Sequence, residues 1–337
     1  MVIVVVKRGA KISRKGSTLY ISKPMPIKDK EGERKYQFVT ENIPLIDIEM
    51  LVIVGSNVRI SSGAILMLTE ANVPIIVHSR RVDAFILNPF NIRIAEVRRR
   101  LYKIIDDITW RIYIGKVFIE GKLSGFINVI RYLAYKDAER GRNTKWILEE
   151  VANIEKLRKS EINNIMDVDS LRLYEAKWSK KLWELLVTFI PDVYEFTGRD
   201  PKSRDPINSA ISYTYAILYG LCTHALIASG LDPYVGIIHS ERAGRTSLTY
   251  DFSEMFKPIA IHATVMASRV SKLSVDRSGY LTKKSLETVT RFIYRALRRK
   301  HRKWKYTARG EIYAKAWELR QNIEKGTSFK PFIYFAK

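Results

Sequence analysis

Glu175, His239, Asp251 and Glu254 are the residues of this sequence whose types and settings could do chemistry. Across residues 171–191 the apolar side chains Leu171, Trp178, Leu182, Leu185 and Phe189 recur at helical spacing, with Asp169 or Ser170 as the expected N-cap. Glu175 falls inside that stripe, four after Leu171 and three before Trp178. A carboxylate on a buried stripe is costly unless it is paired, protonated or bound to a metal ion. The competing structural expectation is a buried Glu–Arg pair that holds two helices together. Asp251 and Glu254 are three apart, which puts both on one face of a helix flanked by Leu248, Phe252, Met255, Phe256 and Ile259. Two adjacent carboxylates repel unless a cation sits between them. His239 closes the apolar run 235–238 and so emerges from a buried segment; alone, such a histidine is more often a satisfied core residue than a ligand. One imidazole with carboxylate oxygens suits Mn²⁺ or Mg²⁺ better than a structural zinc. A divalent ion beside a phosphate-binding surface implies phosphodiester chemistry.

The elements that must position these groups fall into two parts, as expected for 337 residues. Up to about residue 90, β-branched runs at 2–6, 36–39, 51–54 and 73–77 predict strands, with a short helix over 62–72 inserted among them. Asn88-Pro89 marks a break, after which the periods become helical. The spacing predicts one long helix over about 92–133, interrupted at Gly115 and Gly121. Residues 210–231 contain no Asp, Glu, Lys or Arg, long enough for a membrane span, yet their scattered Ser, Thr, His and Tyr favour a buried central helix. Gly230 before Leu231-Asp232-Pro233 supplies its stop.

Lys and Arg number 58 against 35 Asp and Glu, a net charge of +23 that makes a polyanion the default partner. The excess is uneven. Residues 269–309 hold 14 basic and two acidic residues, a net of +12. The densest piece is Arg295, Arg298, Arg299, Lys300, Arg302, Lys303 and Lys305, interleaved with Phe292, Tyr294, Trp304 and Tyr306. Basic side chains alternating with aromatic ones suit a surface that tracks a phosphate backbone and stacks on bases, and the lack of compensating acids argues against a merely solvated face. Cys222 is the only cysteine, which excludes an internal disulfide and a cysteine-based zinc knuckle and suits a reducing cytoplasm. The N-terminal apolar run precedes its charges, so no secretory signal is expected there.

The stretch 208–258 resembles the signature of the CRISPR-associated integrases of spacer acquisition, the Cas-one family. That signature is a Tyr-rich apolar helix, then G-L-D-P-x-x-G-(F/I)-(L/I)-H, then G-R-x-S-L-x-x-D-(L/F)-x-E-x-F-(R/K)-P. The chain shows Asn208, Tyr213, Tyr215, Gly230-Leu231-Asp232-Pro233, Gly236, His239, Gly244-Arg245, Ser247-Leu248, Asp251, Glu254, Phe256 and Pro258. The resemblance implies a site in which Glu175, His239 and Glu254 are catalytic and hold Mn²⁺ or Mg²⁺. Asp251 is expected near the metal or its water shell, and Arg245 near a phosphate. The first ligand matches a family pattern close to E-G-x-A-A-x-x-Y-(F/W) at Glu175 and Trp183, but Ala176, Trp178, Ser179 and Leu182 depart from it, which leaves Glu149 and Glu150 as rivals. His262, where many members carry Asp, is either a group that orients a ligand or a helix-face residue, and the latter is preferred.

The implied fold is α+β. An N-terminal β-sandwich-like dimerisation domain over 1–90 precedes an all-α catalytic, DNA-binding domain over 91–325 and a tail over 326–337. The implied activity is metal-dependent DNA cleavage and integration, with a spacer-precursor 3′-hydroxyl attacking a phosphodiester of the CRISPR repeat. The implied partners are double-stranded and branched DNA, a second copy of the chain and the second CRISPR-associated adaptation protein, without a membrane. Two other readings remain: a transposon-encoded integrase relative with the same site, and a catalytically silent DNA-binding protein. The intact acids argue against the second, since a binding module needs no carboxylates near its phosphates.

Overall fold

The computed structural model describes residues 2–7, 9–28, 34–54, 57–71, 73, 75–78, 83–86, 95–242 and 244–336. The chain divides into two compact units, Met1–Ile92 and Arg93–Lys337. In the first, the β-branched runs and their neighbours form β1 (Val2–Lys7), β2 (Lys11–Lys15), β3 (Thr18–Lys28), β4 (Arg34–Pro44), β5 (Ile48–Val54), β6 (Arg59–Ile60), β7 (Ile75–His78) and β8 (Asp83–Ile86), with α1 (Ser62–Glu70) between β6 and β7. They make two four-stranded sheets, β1-β5-β7-β8 and β4-β3-β2-β6. In the first sheet β5 runs parallel to both β1 and β7; in the second, β3 and β4 form a long antiparallel ladder from Thr18 opposite Pro44 to Lys28 opposite Arg34. Ser61 caps α1, its Oγ accepting from the Ala64 N–H at 3.2 Å. Val4 and Val6 from one sheet, Ile12, Leu19 and Ile21 from the other, and Met67 and Leu68 from α1 share one apolar core. The break expected at Asn88-Pro89 lies outside the described residues.

The second unit is helical: α2 (Ala95–Ile104), α3 (Ile108–Ala138), α4 (Lys145–Glu161), α5 (Val168–Val187), α6 (Pro206–Ala228), α7 (Ser247–Ser253), α8 (Lys257–Val270), α9 (Lys283–Arg298) and α10 (Ala308–Lys325). The fold is therefore mixed, with small N-terminal sheets and a helical remainder. The single helix expected over 92–133 is two. It breaks at Asp107, whose carboxylate accepts from the Thr109 N–H at 2.9 Å and starts α3 afresh. Gly115 and Gly121 do not interrupt α3. A Cβ at Gly121 would lie 2.7 Å from both Met255 Cγ and the Phe332 carbonyl oxygen, so this glycine is a place of close approach rather than a break. Asp167, not Asp169 or Ser170, caps α5.

α6 is the long uncharged helix, and 78% of its most apolar window is buried inside the fold. It is long and apolar enough to cross a membrane by composition, but here it is the central core helix. The last residues add to that core without forming a helix: Phe329, Phe332 and Tyr334 are buried, and Phe332 stacks on Phe256 with ring centroids 4.9 Å apart. The Tyr334 hydroxyl meets His262 Nδ1 at 2.8 Å. His262 is thus a buried side chain on the inner face of α8, not one on an open helix face.

Burial, with the Arg299 charge adding to it, pushes the His262 imidazole down to about 3 from its ordinary 6.5. Between those two values the unfolded chain binds the extra proton and the fold does not, so stability falls as pH drops. Chemical denaturation from pH 6.5 to pH 4 is expected to show this loss, and His262→Gln to flatten part of it. Equal slopes in the two proteins would contradict the assignment.

Candidate active site

Glu175 sits on α5 with its side chain 26% exposed, among the buried Leu171, Tyr174, Trp178 and Leu182. The α5 stripe turns toward α3, where Lys122 is buried. Lys122 Nζ contacts Glu175 Oε1, to which the Ser179 hydroxyl also donates at 2.6 Å. The same ammonium lies 2.8 Å from Glu254 Oε2, and Lys257 Nζ donates to Glu254 Oε1 at 2.5 Å. Glu175 is therefore paired, but with a lysine rather than an arginine. Burial alone would raise the Glu254 carboxyl; Lys122 and Lys257 overrule it and hold it down at about 2. Burial alone would lower the Lys122 ammonium, and Glu254 and Glu175 overrule that in turn, holding it above the usual lysine range.

α7 ends at Ser253 and the chain tightens into a 3₁₀ turn over Glu254–Phe256 before α8. Asp251 and Glu254, three residues apart, find different partners instead of sharing a cation. Asp251 is fully buried. Its Oδ2 accepts from the Ile237 and Ile238 N–H groups at 2.8 Å each, and its Oδ1 accepts from the His239 N–H at 3.2 Å. The His239 ring donates Nδ1–H to the same Oδ1. A carboxylate can only accept there, so Nδ1 carries a proton and Nε2 is the ring nitrogen not engaged by Asp251. Two arginines hold the carbonyl side of this loop: Arg111 donates to Ile237 O at 3.0 and 3.1 Å, and Arg172, one turn before Glu175 on α5, donates to Ile238 O at 2.8 Å. Gly236 closes the turn. A Cβ there would stand 2.0 Å from the His239 carbonyl oxygen.

The structure brings Glu175 and Glu254 together on one ammonium, while His239 and Asp251 form a second pair tethered to α5 through Arg172. Among the described residues no three His, Cys, Asp or Glu side chains already converge as a metal cage. The donor set nonetheless suits a hard divalent ion: two carboxylates and an imidazole nitrogen whose tautomer is fixed. Glu254 Oε2 is buried and lies 2.8 Å from the Lys122 ammonium. The rival Glu149 points outward, 67% exposed, 3.8 Å from Lys145. Arg245 lies over the Tyr250 ring, 5.2 Å from its centroid.

Of the basic stretch, Arg295, Arg298, Lys300, Arg302, Lys303 and Lys305 are exposed and Arg299 is half-buried. Trp304 is not available for stacking on a base: it is buried and stacks on Tyr334 at 5.6 Å. Tyr306 remains exposed. Sequence reasoning missed Lys122, Lys257, Arg111 and Arg172. Lys122 had a usable signal, a charged side chain within the apolar stretch of α3, of the same kind that singled out Glu175.

The sequence model of the family described as CRISPR associated protein Cas1 matches residues 3–291. The chain belongs to the Cas1 family. A relative from Hyperthermus butylicus called CRISPR-associated endonuclease Cas1 is 30% identical over 301 residues, covering 85% of this chain and 88% of that one. Among solved structures, a casposase bound to integration product superposes with a TM-score of 0.79 at 20% identity, covering 98% of this chain and 93% of that one. A Cas6-RT-Cas1–Cas2 complex superposes at 0.72 and 17% identity over 98% of this chain and 36% of that one. At these identities the superpositions show that the Cas1 fold is shared.

Asp251→Asn keeps the shape of the side chain but gives up a carboxylate that serves three backbone N–H groups and an imidazole. Urea denaturation is expected to show a loss of about 2–3 kcal/mol. A change below about 0.5 kcal/mol would mean that the loop does not depend on this carboxylate.

Proposed function

We propose that this Cas1 chain is a metal-dependent DNA endonuclease and integrase that inserts spacer DNA into a CRISPR array by phosphodiester transesterification. The observation that carries this reading is the pair Glu175 and Glu254, the first partly and the second fully buried, meeting one ammonium, in a chain whose His239 is held by Asp251. Glu175, His239 and Glu254 would hold Mn²⁺ or Mg²⁺. Such an ion polarises a phosphodiester and stabilises the leaving oxygen, so no protein nucleophile is needed. Asp251 fixes the His239 tautomer and aim; Ser179 and Lys257 fix the two carboxylates. Arg245 would neutralise a phosphate near this centre.

Arg295, Arg298, Arg299, Lys300, Arg302, Lys303 and Lys305 hold the DNA, the spacer precursor and the CRISPR repeat being double-stranded or branched substrates. The N-terminal unit acts as the β-sandwich-like dimerisation domain of a homodimer. The Cas1–Cas2 assembly among the structural neighbours supports Cas2 as the second partner, and the single buried cysteine suits work in the cytoplasm. Family membership favours a CRISPR array over a mobile element as the target, although a casposase shares the fold.

With Mn²⁺ and repeat-containing branched DNA, Glu254→Gln and His239→Ala are each expected to lose about a hundredfold or more of cleavage and strand joining, with DNA affinity near that of the parent. Full activity in both variants would overturn the site. Replacing Arg302, Lys303 and Lys305 by alanine is expected to weaken DNA binding and to lower the slope of log affinity against log salt by about 0.9 for each phosphate no longer neutralised. An unchanged slope would remove this stretch from the interface.

A further inference from the structure

Glu175 and Glu254 bring two negative charges into a helical core, and Lys122 and Lys257 return them to neutrality. The two lysines are not equivalent. Lys257 is three residues from Glu254 and grips its Oε1 from the same stretch of chain, whereas Lys122 comes from α3 and lies between carboxylates on two other elements. Lys122 is only 9% exposed, so its ammonium has no water shell to fall back on, and removing either partner would strand a buried charge. A divalent ion held by both carboxylates would lie close to this ammonium, and two cations at contact range in a water-poor site repel strongly.

We propose that Lys122 is a resident cation: it keeps Glu175 and Glu254 paired while no divalent ion is bound, and ion binding displaces its ammonium from between them. The inference rests on the reading that these carboxylates are metal ligands. The site is then loaded by exchange of one cation for another. Glu254 Oε2, buried and 2.8 Å from the Lys122 ammonium, is the oxygen that the exchange frees. Lys257 stays on Oε1 and keeps Glu254 aimed. The exchange lowers the affinity for the ion and keeps the ion-free protein folded.

The test compares the full chain with Lys122→Gln, measuring Mn²⁺ affinity by titration calorimetry and thermal unfolding in EDTA and in Mn²⁺. Lys122→Gln is expected to bind Mn²⁺ about tenfold or more tightly than the parent, to melt lower in EDTA, and to gain more from Mn²⁺ than the parent gains. Unchanged or weaker Mn²⁺ binding in Lys122→Gln overturns the proposal. A measurement on the parent chain does not depend on the variant folding. With ¹⁵N-labelled lysine, the protected ammonium signal of the buried Lys122 should shift as Mg²⁺ saturates the site, and a signal unmoved at saturation also overturns the proposal. Failure of the underlying reading looks different: His239→Ala and Glu175→Gln would both bind Mn²⁺ as tightly as the parent.

Discussion

A buried carboxylate and a partly buried one in a helical bundle need cations to reach them, and much of the arrangement of the second unit follows from that requirement. Lys122 has to arrive from α3 at the meeting of α5 and the turn after α7, so α3 must approach that turn closely. Gly121, the residue before Lys122, makes the approach possible, because any side chain there would collide with Met255 and the Phe332 carbonyl. The same close approach draws in the last residues of the chain, where Phe332 stacks on Phe256 next to the turn. Helix packing, the chain end and charge neutrality are thus one constraint with three expressions.

A second carboxylate solves a different problem. Asp251 lies against an irregular segment whose backbone N–H groups have no helix or sheet to satisfy them, and it satisfies three of them while orienting an imidazole. Arg111 and Arg172 take the carbonyl side of the same segment. Since Arg172 and Glu175 share α5, the position of His239 and that of the first carboxylate are set by one rigid element. That is how a loop residue can be held in one position by a helix.

Parts of this were legible in the sequence. Glu175 stood out because apolar periodicity exposes any charge that interrupts it, and the uncharged run at 210–231 read correctly as a core helix because its polar groups were spread through it. Lys122 interrupts an apolar run just as Glu175 does, but in a chain with 58 basic residues one more lysine carries little information. The glycines of α3 were read as breaks, since sequence alone does not separate a glycine that ends a helix from one that admits a neighbour. Trp304 was read as a base-stacking group because it lies among cations. Its burial depends on a segment about thirty residues later, which no local pattern reveals. That Asp251 and Glu254 take different partners was invisible for a related reason: those partners, the 237–239 backbone and Lys122, come from other parts of the chain.

The claim on which the rest turns is the proposal that Glu175, His239 and Glu254 hold one metal ion and that Lys122 gives way to it. Anomalous diffraction from crystals of the full chain soaked in Mn²⁺ tests it most directly. The expected map has one strong peak bounded by Glu175, Glu254 and His239 Nε2, with the Lys122 ammonium moved out from between the carboxylates. A peak elsewhere, or a saturated crystal in which Lys122 still bridges the two carboxylates, would contradict it.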